Sequence, residues 1–382
     1  MPRLPFIATV ILILGALHVF IGSQLLHDLP LSETGRLLGW LLLLASWLLI
    51  PVGLLARMIQ RESMADKLAW IGLMAMGFFS SLLVLTFVRS LALLIFGFVE
   101  PVSPAWVANT AIAVPLITLL ITIAGYFNAR RVAQVVAVEV PVDNLPDALD
   151  GFTIAQISDI HVGPTIKRRY LERIVDRVNS LQADVVAVTG DVVDGSVADL
   201  AEHTAPLADL KGRLGTYLVT GNHEYYSNAG AWVAEFTRLG LRVLMNEHVV
   251  VDHRGASVLV AGVTDYKAHQ FYPEHRSDPH KAISGAPQTI SFKLLLAHQP
   301  RTATAAAQAG FDLQLSGHTH GGQFFPWNLF VPLQQPYVAG LNRLESLWVY
   351  TSRGTGYWGP PKRFGAPSEI THIRLVKGAT RA

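Results

Sequence analysis

The stretch "FDLQLSGHTHGGQ", residues 311–323, decides how this chain is interpreted. It begins with apolar residues at Leu313 and Leu315, which predict a β-strand, and it ends in a glycine turn. The turn places His318 and His320 one residue apart. An isolated histidine is more often a hydrogen-bonded structural residue than a ligand, so the meaning of this pair depends on what lies in the same setting elsewhere in the chain.

Five other runs have the same form, each a strand pattern of β-branched and aliphatic residues that ends in a polar cluster. They are "FTIAQISDIH" (152–161), "ADVVAVTGD" (183–191), "GTYLVTGNHE" (215–224), "ASVLVAGVTD" (256–265) and "SFKLLLAHQP" (291–300). Residues 166–181 show helical spacing of apolar residues between the first two strands. Strand, helix and strand in alternation predict an α/β fold, in which the loops beyond the strand ends bind ligands.

The polar clusters carry carboxylates, one amide and five of the fourteen histidines. The residues are Asp159, His161, Asp191, Asp194, Asn222, His223, His298, His318 and His320. Oxygen and imidazole ligands suit divalent cations such as Mn, Fe, Zn, Co or Ni, and the absence of cysteine excludes thiolate sites. Even seven of these nine residues would be too many ligands for one ion with open positions, so we expect two ions that share a bridging carboxylate. Such a pair activates a bridging water and favours hydrolysis of phosphoesters.

Five blocks in this order resemble those of the calcineurin-like metallophosphoesterases: "DIH" (159–161), "GDVVD" (190–194), "GNHE" (221–224), the histidine of "LLLAHQP" (298) and "GHTH" (317–320). The similarity covers residues 150–376. The run at 352–371 is similar to the ending of the YkuE- and YaeI-like branch, and the apolar N-terminal part resembles the transmembrane proteins with a metallophosphoesterase domain. The resemblance implies an α/β/β/α sandwich.

The resemblance also implies a role for each candidate. Asp159, His161, Asp191 and His320 would hold one metal, and Asp191, Asn222, His298 and His318 would hold the other, with Asp191 bridging. His223 would stand beside the leaving group as a proton donor or a stabiliser of the transition state. Asp194 would fix the ring of His223, although a role as a turn or cap residue is equally open.

Weaker candidates for the substrate pocket are Arg168, Tyr225, Tyr226, Asp265, Arg353 and Lys362, for which an ordinary surface or structural role is the alternative. The aromatic and proline-rich stretch 323–340 also allows two interpretations. It is either a packed cover over the core, or a hydrophobic lip that faces the membrane or an acyl chain.

The first third of the chain is strongly apolar. Four stretches without charged residues are long enough to cross a bilayer as helices: 5–26, 37–55, 68–88 and 105–127. A signal peptide is an alternative for the first of them, because Arg3 precedes it. The segment 89–100 is too short to cross alone, and it extends the third helix, lies in the interface or re-enters the bilayer. We therefore predict a membrane domain over 1–127, a connector with a first edge strand over 128–149, and the α/β domain over 150–376.

Flanking basic residues predict the orientation. Arg3, Arg57, Arg61, Lys67, Arg130 and Arg131 fall on one side of four alternating helices, against Arg36 and Arg89 on the other. This distribution favours a cytoplasmic α/β domain, and a fifth crossing would reverse it.

The leading hypothesis is a membrane-anchored phosphoesterase with two divalent metals, such as Mn, Zn or Fe. A phosphodiester, a phosphomonoester or a pyrophosphate is the expected substrate, including one linked to a lipid. A non-catalytic membrane scaffold or sensor with the same fold is the alternative. The net charge of +2 gives no indication of nucleic-acid binding, and the sequence leaves the oligomeric state open.

Overall fold

A computed structural model of the chain describes residues 4–56 and 62–378. Arg3, Arg57 and Arg61, which entered the prediction of orientation, lie outside the described residues. The described chain forms two compact units. The first contains the described residues up to Phe127 together with Gly359–Lys362, and the second contains Asn128–Trp358 and the described residues from Arg363 onward.

Four long apolar helices make up most of the first unit. They are α1 (Leu4–Leu25), α2 (Glu33–Leu55), α3 (Glu62–Val99) and α4 (Pro104–Arg130). Each is long and apolar enough to cross a membrane, and many of their large apolar side chains are exposed. The predicted membrane part of four apolar helices is confirmed.

The third helix is longer than the charge-free stretch 68–88. It has 38 residues and therefore spans about 57 Å at 1.5 Å per residue, well beyond a hydrocarbon core of about 30 Å. The charge-free stretch 68–88 is therefore only part of this helix, which continues past the buried Arg89. Its guanidinium lies 2.6 Å from the Asp28 carboxylate and also donates to the Gln24 carbonyl. Residues 89–99 thus extend the third helix, as one of the three interpretations held.

Two mixed six-stranded sheets form the second unit. The first has the strand order β1 (Gln134–Val142), β12 (Glu369–Lys377), β2 (Thr153–Ile157), β3 (Val185–Val188), β4 (Thr216–Leu218) and β5 (Arg242–Val243). The second has the order β10 (Gly340–Leu344), β11 (Leu347–Thr351), β9 (Leu313–Ser316), β8 (Phe292–Leu296), β7 (Ala256–Gly262) and β6 (Glu247–His253). Within each sheet the strands that lead into the site are parallel.

The sheets pack face to face, with helices on their outer faces. Ile154 and Val185 of the first sheet share a buried cluster with Val258, Leu294 and Leu313 of the second. The helices are α5 (Arg168–Asn179), α6 (Val197–Thr204), α7 (Asn222–Tyr226), α8 (Ala229–Arg238), α9 (Pro279–Ile283) and α10 (Ala303–Gln308). Clusters with α5 and α8 lie against the first sheet, and a cluster with α9 and α10 lies against the second. The predicted α/β/β/α sandwich is confirmed.

All six predicted strands are present, as β2, β3, β4, β7, β8 and β9, and the predicted helix over 166–181 is α5. Because β2, β3 and β4 are parallel, their carboxyl ends meet at one edge of the first sheet. The same holds for β8 and β9 in the second sheet. The polar clusters that follow these strands are thereby brought to one region.

Candidate metal centre

Loops at the ends of five strands build the site. Asp159, Asp191 and Asn222 follow β2, β3 and β4, while His298 and His318 follow β8 and β9. Backbone hydrogen bonds tie neighbouring loops together. In the first sheet the Asp159 amide donates to the Gly190 carbonyl, and in the second the Gly317 amide donates to the His298 carbonyl.

One group of candidate ligands joins both sheets. Asp159, His161 and His320 are buried and place one ligand atom each within 4.8 Å of the others. The Nε2 atoms of His161 and His320 lie 3.1 Å apart, and His320 Nε2 lies 3.4 Å from Asp159 Oδ1. These nitrogen and oxygen atoms therefore lie close enough together to share one divalent cation.

A second group lies beside the first. Asp191, His298 and His318 also place their ligand atoms within 4.8 Å of one another. His298 Nε2 is 3.1 Å from Asp191 Oδ2 and 3.2 Å from His318 Nδ1. The other ring nitrogen of His298 lies 2.8 Å from the Thr189 carbonyl, which directs Nε2 into the site.

Asn222 is placed at the same strand ends, and its Oδ1 atom is buried with no hydrogen-bond partner. A buried amide oxygen without a partner is costly, so it indicates a ligand. Asp191 occupies the centre of the arrangement. Its Oδ2 lies 3.9 Å from Nε2 of both His161 and His223, in addition to its contact with His298.

His223 and Asp194 form a third cluster together with His161. Asp194 Oδ1 lies 2.5 Å from His223 Nδ1 and 3.1 Å from His161 Nδ1, so one carboxylate orients two imidazole rings. The family resemblance assigned Asp194 to His223 alone. Although burial opposes protonation, the carboxylates of Asp191 and Asp194 raise the pKa of His223 to about 9.

The backbone of the site is strained. Five non-glycine candidates adopt left-handed φ angles between 51° and 71°: Asp159, His161, Asp191, His318 and His320. Such conformations are uncommon for residues with a Cβ and concentrate at functional sites. Gly317 shows how closely the loops approach, because a Cβ there would lie 2.2 Å from Asp159 Oδ2.

The pKa shifts of the site histidines also favour the binding of cations. Burial, and then the neighbouring His298, lower the pKa of His318 to about 3. Burial and the Arg363 guanidinium lower the pKa of His320 as well, so both rings are neutral and free to coordinate. Against the effect of burial, the carboxylates of Asp191 and Asp159 raise the pKa of His298 well above its usual value. The carboxylates thus attract positive charge, and the donor set fits a pair of divalent cations.

Comparison with known proteins agrees with this geometry. The model of the family "Calcineurin-like phosphoesterase" matches residues 152–322. An "Uncharacterized metallophosphoesterase" of Aquifex aeolicus is 31% identical over 227 residues, which cover 59% of this chain and 85% of that protein. The chain belongs to the calcineurin-like phosphoesterases. The family resemblance drawn from the sequence blocks is confirmed.

Two more relatives of this phosphoesterase extend the comparison. The "Transmembrane protein with metallophosphoesterase domain" of Danio rerio is 40% identical over 284 residues, 72% of this chain, and the chain spans 64% of that protein's length. The "Uncharacterized metallophosphoesterase YkuE" of Bacillus subtilis is 29% identical over 242 residues, which cover 60% of this chain and 81% of that protein.

Sequence reasoning missed Glu224, which holds two of the loops at the metal centre together. Glu224 is fully buried, and its carboxylate accepts hydrogen bonds from the backbone amides of Asp191, Val192, Val193 and Gly221. It therefore ties the loop after β3 to the loop after β4. The available signal was its position as the last residue of "GNHE", a charged residue directly beside two site residues.

Arg363 was missed as well. It is fully buried, donates to the backbone carbonyls of His320, Arg353 and Gly356, and lies 3.1 Å from His320 Nδ1. The guanidinium therefore holds the glycine turn at 317–322 against the loop at 353–356. Its neighbourhood in the sequence carries little indication of this role, because a lysine-arginine pair in a polar segment is typical of a solvated surface.

The weaker candidates include one residue at the site, one buried carboxylate and four residues with structural partners. Tyr226 lies at the site, with its ring 5.1 Å from that of His223. Asp265 is buried and accepts a hydrogen bond from Gln299. The others have structural partners: Arg168 pairs with Glu172, Arg353 with Glu369, Tyr225 with His275, and Lys362 bonds to Gly77 and Ser81 within the helical unit.

Proposed function

We propose that this membrane-anchored metallophosphoesterase hydrolyses a phosphodiester, phosphomonoester or pyrophosphate bond with two divalent metals. The observation that carries the proposal is the pair of adjacent ligand groups with Asp191 between them. Two-metal chemistry needs both groups. Within each group, the ligand atoms lie within 4.8 Å of one another. The family resemblance adds Asp191 to the first group and Asn222 to the second.

We assign Asp159, His161, Asp191 and His320 to one ion, and Asp191, Asn222, His298 and His318 to the other. Mn, Zn and Fe are all compatible with this set of oxygen and nitrogen ligands. When bound, such a pair supplies Lewis acidity and a nucleophile at neutral pH for in-line displacement at phosphorus.

The protein's own contribution beyond these ligands centres on His223. Asp194 holds the ring through Nδ1, which leaves Nε2 directed to the side of Asp191. We propose that His223 donates a proton to the leaving-group oxygen, or stabilises its charge, while Asp194 keeps the ring in place. This geometry also supports the expected role of Asp194 as a residue that orients His223.

We further propose the division into a membrane anchor over 1–127, a connector with the first edge strand over 128–149, and a catalytic domain over 150–376. A cytoplasmic location of the catalytic domain is supported by the count of flanking basic residues in the sequence, with Arg3, Arg57, Arg61, Lys67, Arg130 and Arg131 on one side against Arg36 and Arg89 on the other. Because the chain has no cysteine, labelling of a single Asp143→Cys variant in sealed vesicles of known orientation tests the location. Labelling only from the periplasmic or extracellular face would contradict it.

The decisive experiment measures hydrolysis of bis-p-nitrophenyl phosphate and p-nitrophenyl phosphate by the full chain in detergent. The protein is stripped of metal and then supplied with Mn, Zn, Fe, Co or Mg in turn. We expect turnover to return with at least one metal. In Asp191→Asn we expect both metal binding and turnover to fall, the latter by about 10³-fold or more. Asp143→Asn, a substitution at an exposed position, is the matched control.

The ratio of diester to monoester turnover then narrows the substrate class. A folded protein that binds two ions and hydrolyses neither ester nor any lipid-linked phosphoester would contradict the proposal and favour the scaffold or sensor. Loss of turnover in Asp191→Asn with unchanged metal content would instead contradict the bridging role of Asp191.

A further inference from the structure

The loop that follows the glycine turn of the metal centre is apolar and exposed. We name residues 325–333 the aromatic loop. Its exposed side chains are Phe325, Trp327, Leu329, Phe330 and Leu333. Leu329 is 61% exposed and Leu333 is 81% exposed. No charged residue occurs between His320 and Arg343, so nothing in this stretch of sequence offsets the apolar surface. Most of the aromatic loop therefore does not serve as a packed cover over the core.

Several backbone amides of the aromatic loop donate hydrogen bonds within the loop. It forms two short 3₁₀ turns, Trp327–Leu329 and Val331–Leu333. The amide of Leu329 donates to the Pro326 carbonyl, and the amide of Leu333 donates to the Phe330 carbonyl. A segment that enters a medium with little water must pair its amides internally, because each unpaired group costs several kcal/mol there. These amides are paired without a partner chain.

Firm attachments hold the aromatic loop beside the metal centre. The Gln323 side chain bonds to both the amide and the carbonyl of Trp358, at 2.8 Å each. The Trp358 ring lies 5.8 Å from the ring of His223. At the base of the loop, the Phe325 amide donates to the Phe364 carbonyl. The exposed side chains thus stand on a fixed base next to the site.

A basic residue lies at the other end of the loop. The Arg301 guanidinium donates to the Gln334 carbonyl and lies over the ring of Tyr266, 5.2 Å from its centroid. Exposed tryptophan, phenylalanine and leucine beside an arginine are the composition of segments that rest in the interfacial region of a membrane. An arginine at the edge favours anionic lipid headgroups.

We propose that the aromatic loop is a bilayer contact of the phosphoesterase unit, separate from the four membrane helices. The occupant is the headgroup and upper acyl region of the membrane that holds the same chain. The four helices keep that membrane at a high effective concentration, so a small apolar contact suffices to dock the loop. A second copy of the chain and a partner protein are the other occupants that an experiment must distinguish.

Docking of the loop would present the metal centre to phosphate groups at the membrane surface. This consequence rests on the proposed function, whereas the bilayer contact itself does not. The test therefore measures the contact without reference to activity. If the contact is present and turnover is absent, only the proposed function fails. If turnover is present and the contact is absent, only the inference about the loop fails.

The absence of cysteine allows a single spin label at any chosen position. Leu329→Cys and Leu333→Cys are labelled in the full chain and placed in nanodiscs of phosphatidylcholine and phosphatidylglycerol. The matched control is Val250→Cys, which lies on edge strand β6 of the same unit and is 41% exposed. Accessibility to oxygen, which concentrates in lipid, is compared with accessibility to a water-soluble nickel chelate.

We expect the ratio of oxygen to chelate accessibility to be severalfold higher at Leu329 and Leu333 than at Val250. Equal ratios at the three positions would place the loop in water and overturn the inference. Labels shielded from both reagents would reveal a protein partner and overturn it too, and dipolar broadening between labels would identify that partner as a second copy. The two loop variants act as replicates if either one fails to fold.

Discussion

The glycine turn at 317–322 and the aromatic loop at 325–333 are neighbours in the chain, yet they are built in opposite ways. The turn holds strained, left-handed residues such as His318 and His320 in a space with no room for another methyl group. The loop exposes its large side chains and makes several of its backbone hydrogen bonds within itself. In the turn the position of each atom matters, whereas in the loop only the character of the surface matters.

This difference reflects what each region must do. Ligand atoms must converge to within a few tenths of an ångström, which requires buried supports such as Glu224 and Arg363. A surface that meets lipid or solvent needs only a stable backbone and suitable side chains. We therefore expect substitutions to lose effect steeply from the glycine turn to the aromatic loop, and four variants measure that decline.

The largest effect is expected for Gly317→Ala. A Cβ at this position would lie 2.2 Å from Asp159 Oδ2 and 2.0 Å from Ser158 Oγ. Either the turn or the Asp159 carboxylate must shift, and a displaced ligand weakens the metal site. We expect metal content to fall and metal-restored turnover to drop by about 10³-fold or more. Elemental analysis and the p-nitrophenyl assay measure the two quantities.

Gly230→Ala is the control for this substitution. Gly230 lies in α8, and a Cβ there would meet its nearest neighbour at 3.8 Å. An alanine is favoured over glycine in a helix by roughly 0.5–1 kcal/mol, so the variant should be at least as stable as the wild type and fully active. Full activity of Gly317→Ala would show that the turn is looser than its contacts indicate.

The second variant, His223→Ala, removes a side chain from the site without removing a proposed ligand. We expect both ions to remain bound and the turnover to fall by about 10²–10⁴-fold, the usual contribution of a positioned proton donor. His280→Ala, at an exposed position in α9, is the control. Loss of metal in His223→Ala would mean that this ring coordinates an ion and that its proposed role is wrong.

The third variant tests the support beneath the ligands. Glu224→Gln keeps the shape of the side chain but directs an NH₂ group toward backbone amides that need acceptors. Residues that hold metal ligands in place without binding the metal typically contribute about 10–100-fold to metal affinity. We expect a loss of that size in a metal titration, together with a lower apparent unfolding temperature.

Glu172→Gln is the matched control, because Glu172 forms an exposed pair with Arg168 in α5. Exposed pairs of this kind contribute roughly 0.3–0.5 kcal/mol, so neither metal affinity nor stability should change appreciably. Equal behaviour of the two glutamine variants would reduce Glu224 to an ordinary buried residue.

The same contrast explains what the sequence could predict. The strands that enter the site are short, apolar and followed by polar turns, so local patterns alone predict their positions, and the ordered blocks identify the family. β5, β6, β10 and β11 were not predicted. β5 has only two residues, and β6 and β10 fully bury none of their side chains, so they lack the apolar pattern of the central strands. β12, which pairs in parallel with β1, was also missed, because a pairing over more than two hundred residues leaves no local signal.

Burial was the harder quantity to predict. Arg89 and Arg363 are charged residues that sequence patterns place at a helix end or on a surface, yet both are buried because distant acceptors surround them. Such acceptors come from other elements and cannot be seen in the neighbouring sequence. The aromatic loop was the converse case, in which composition left both a packed cover and an exposed lip open.

The smallest effect on the hydrolysis of a soluble ester is expected for Leu329→Asp. Leu329 is exposed, and its backbone amide stays bonded to the Pro326 carbonyl whatever the side chain. Surface substitutions of this kind usually change stability by less than about 0.5 kcal/mol, and hydrolysis of a soluble ester should be unchanged. The added charge should, however, raise the accessibility of a spin label at Leu333 to the nickel chelate. If turnover of the soluble ester fell as it does in Gly317→Ala, the loop would belong to the metal centre, and the contrast between the two neighbouring segments would not hold.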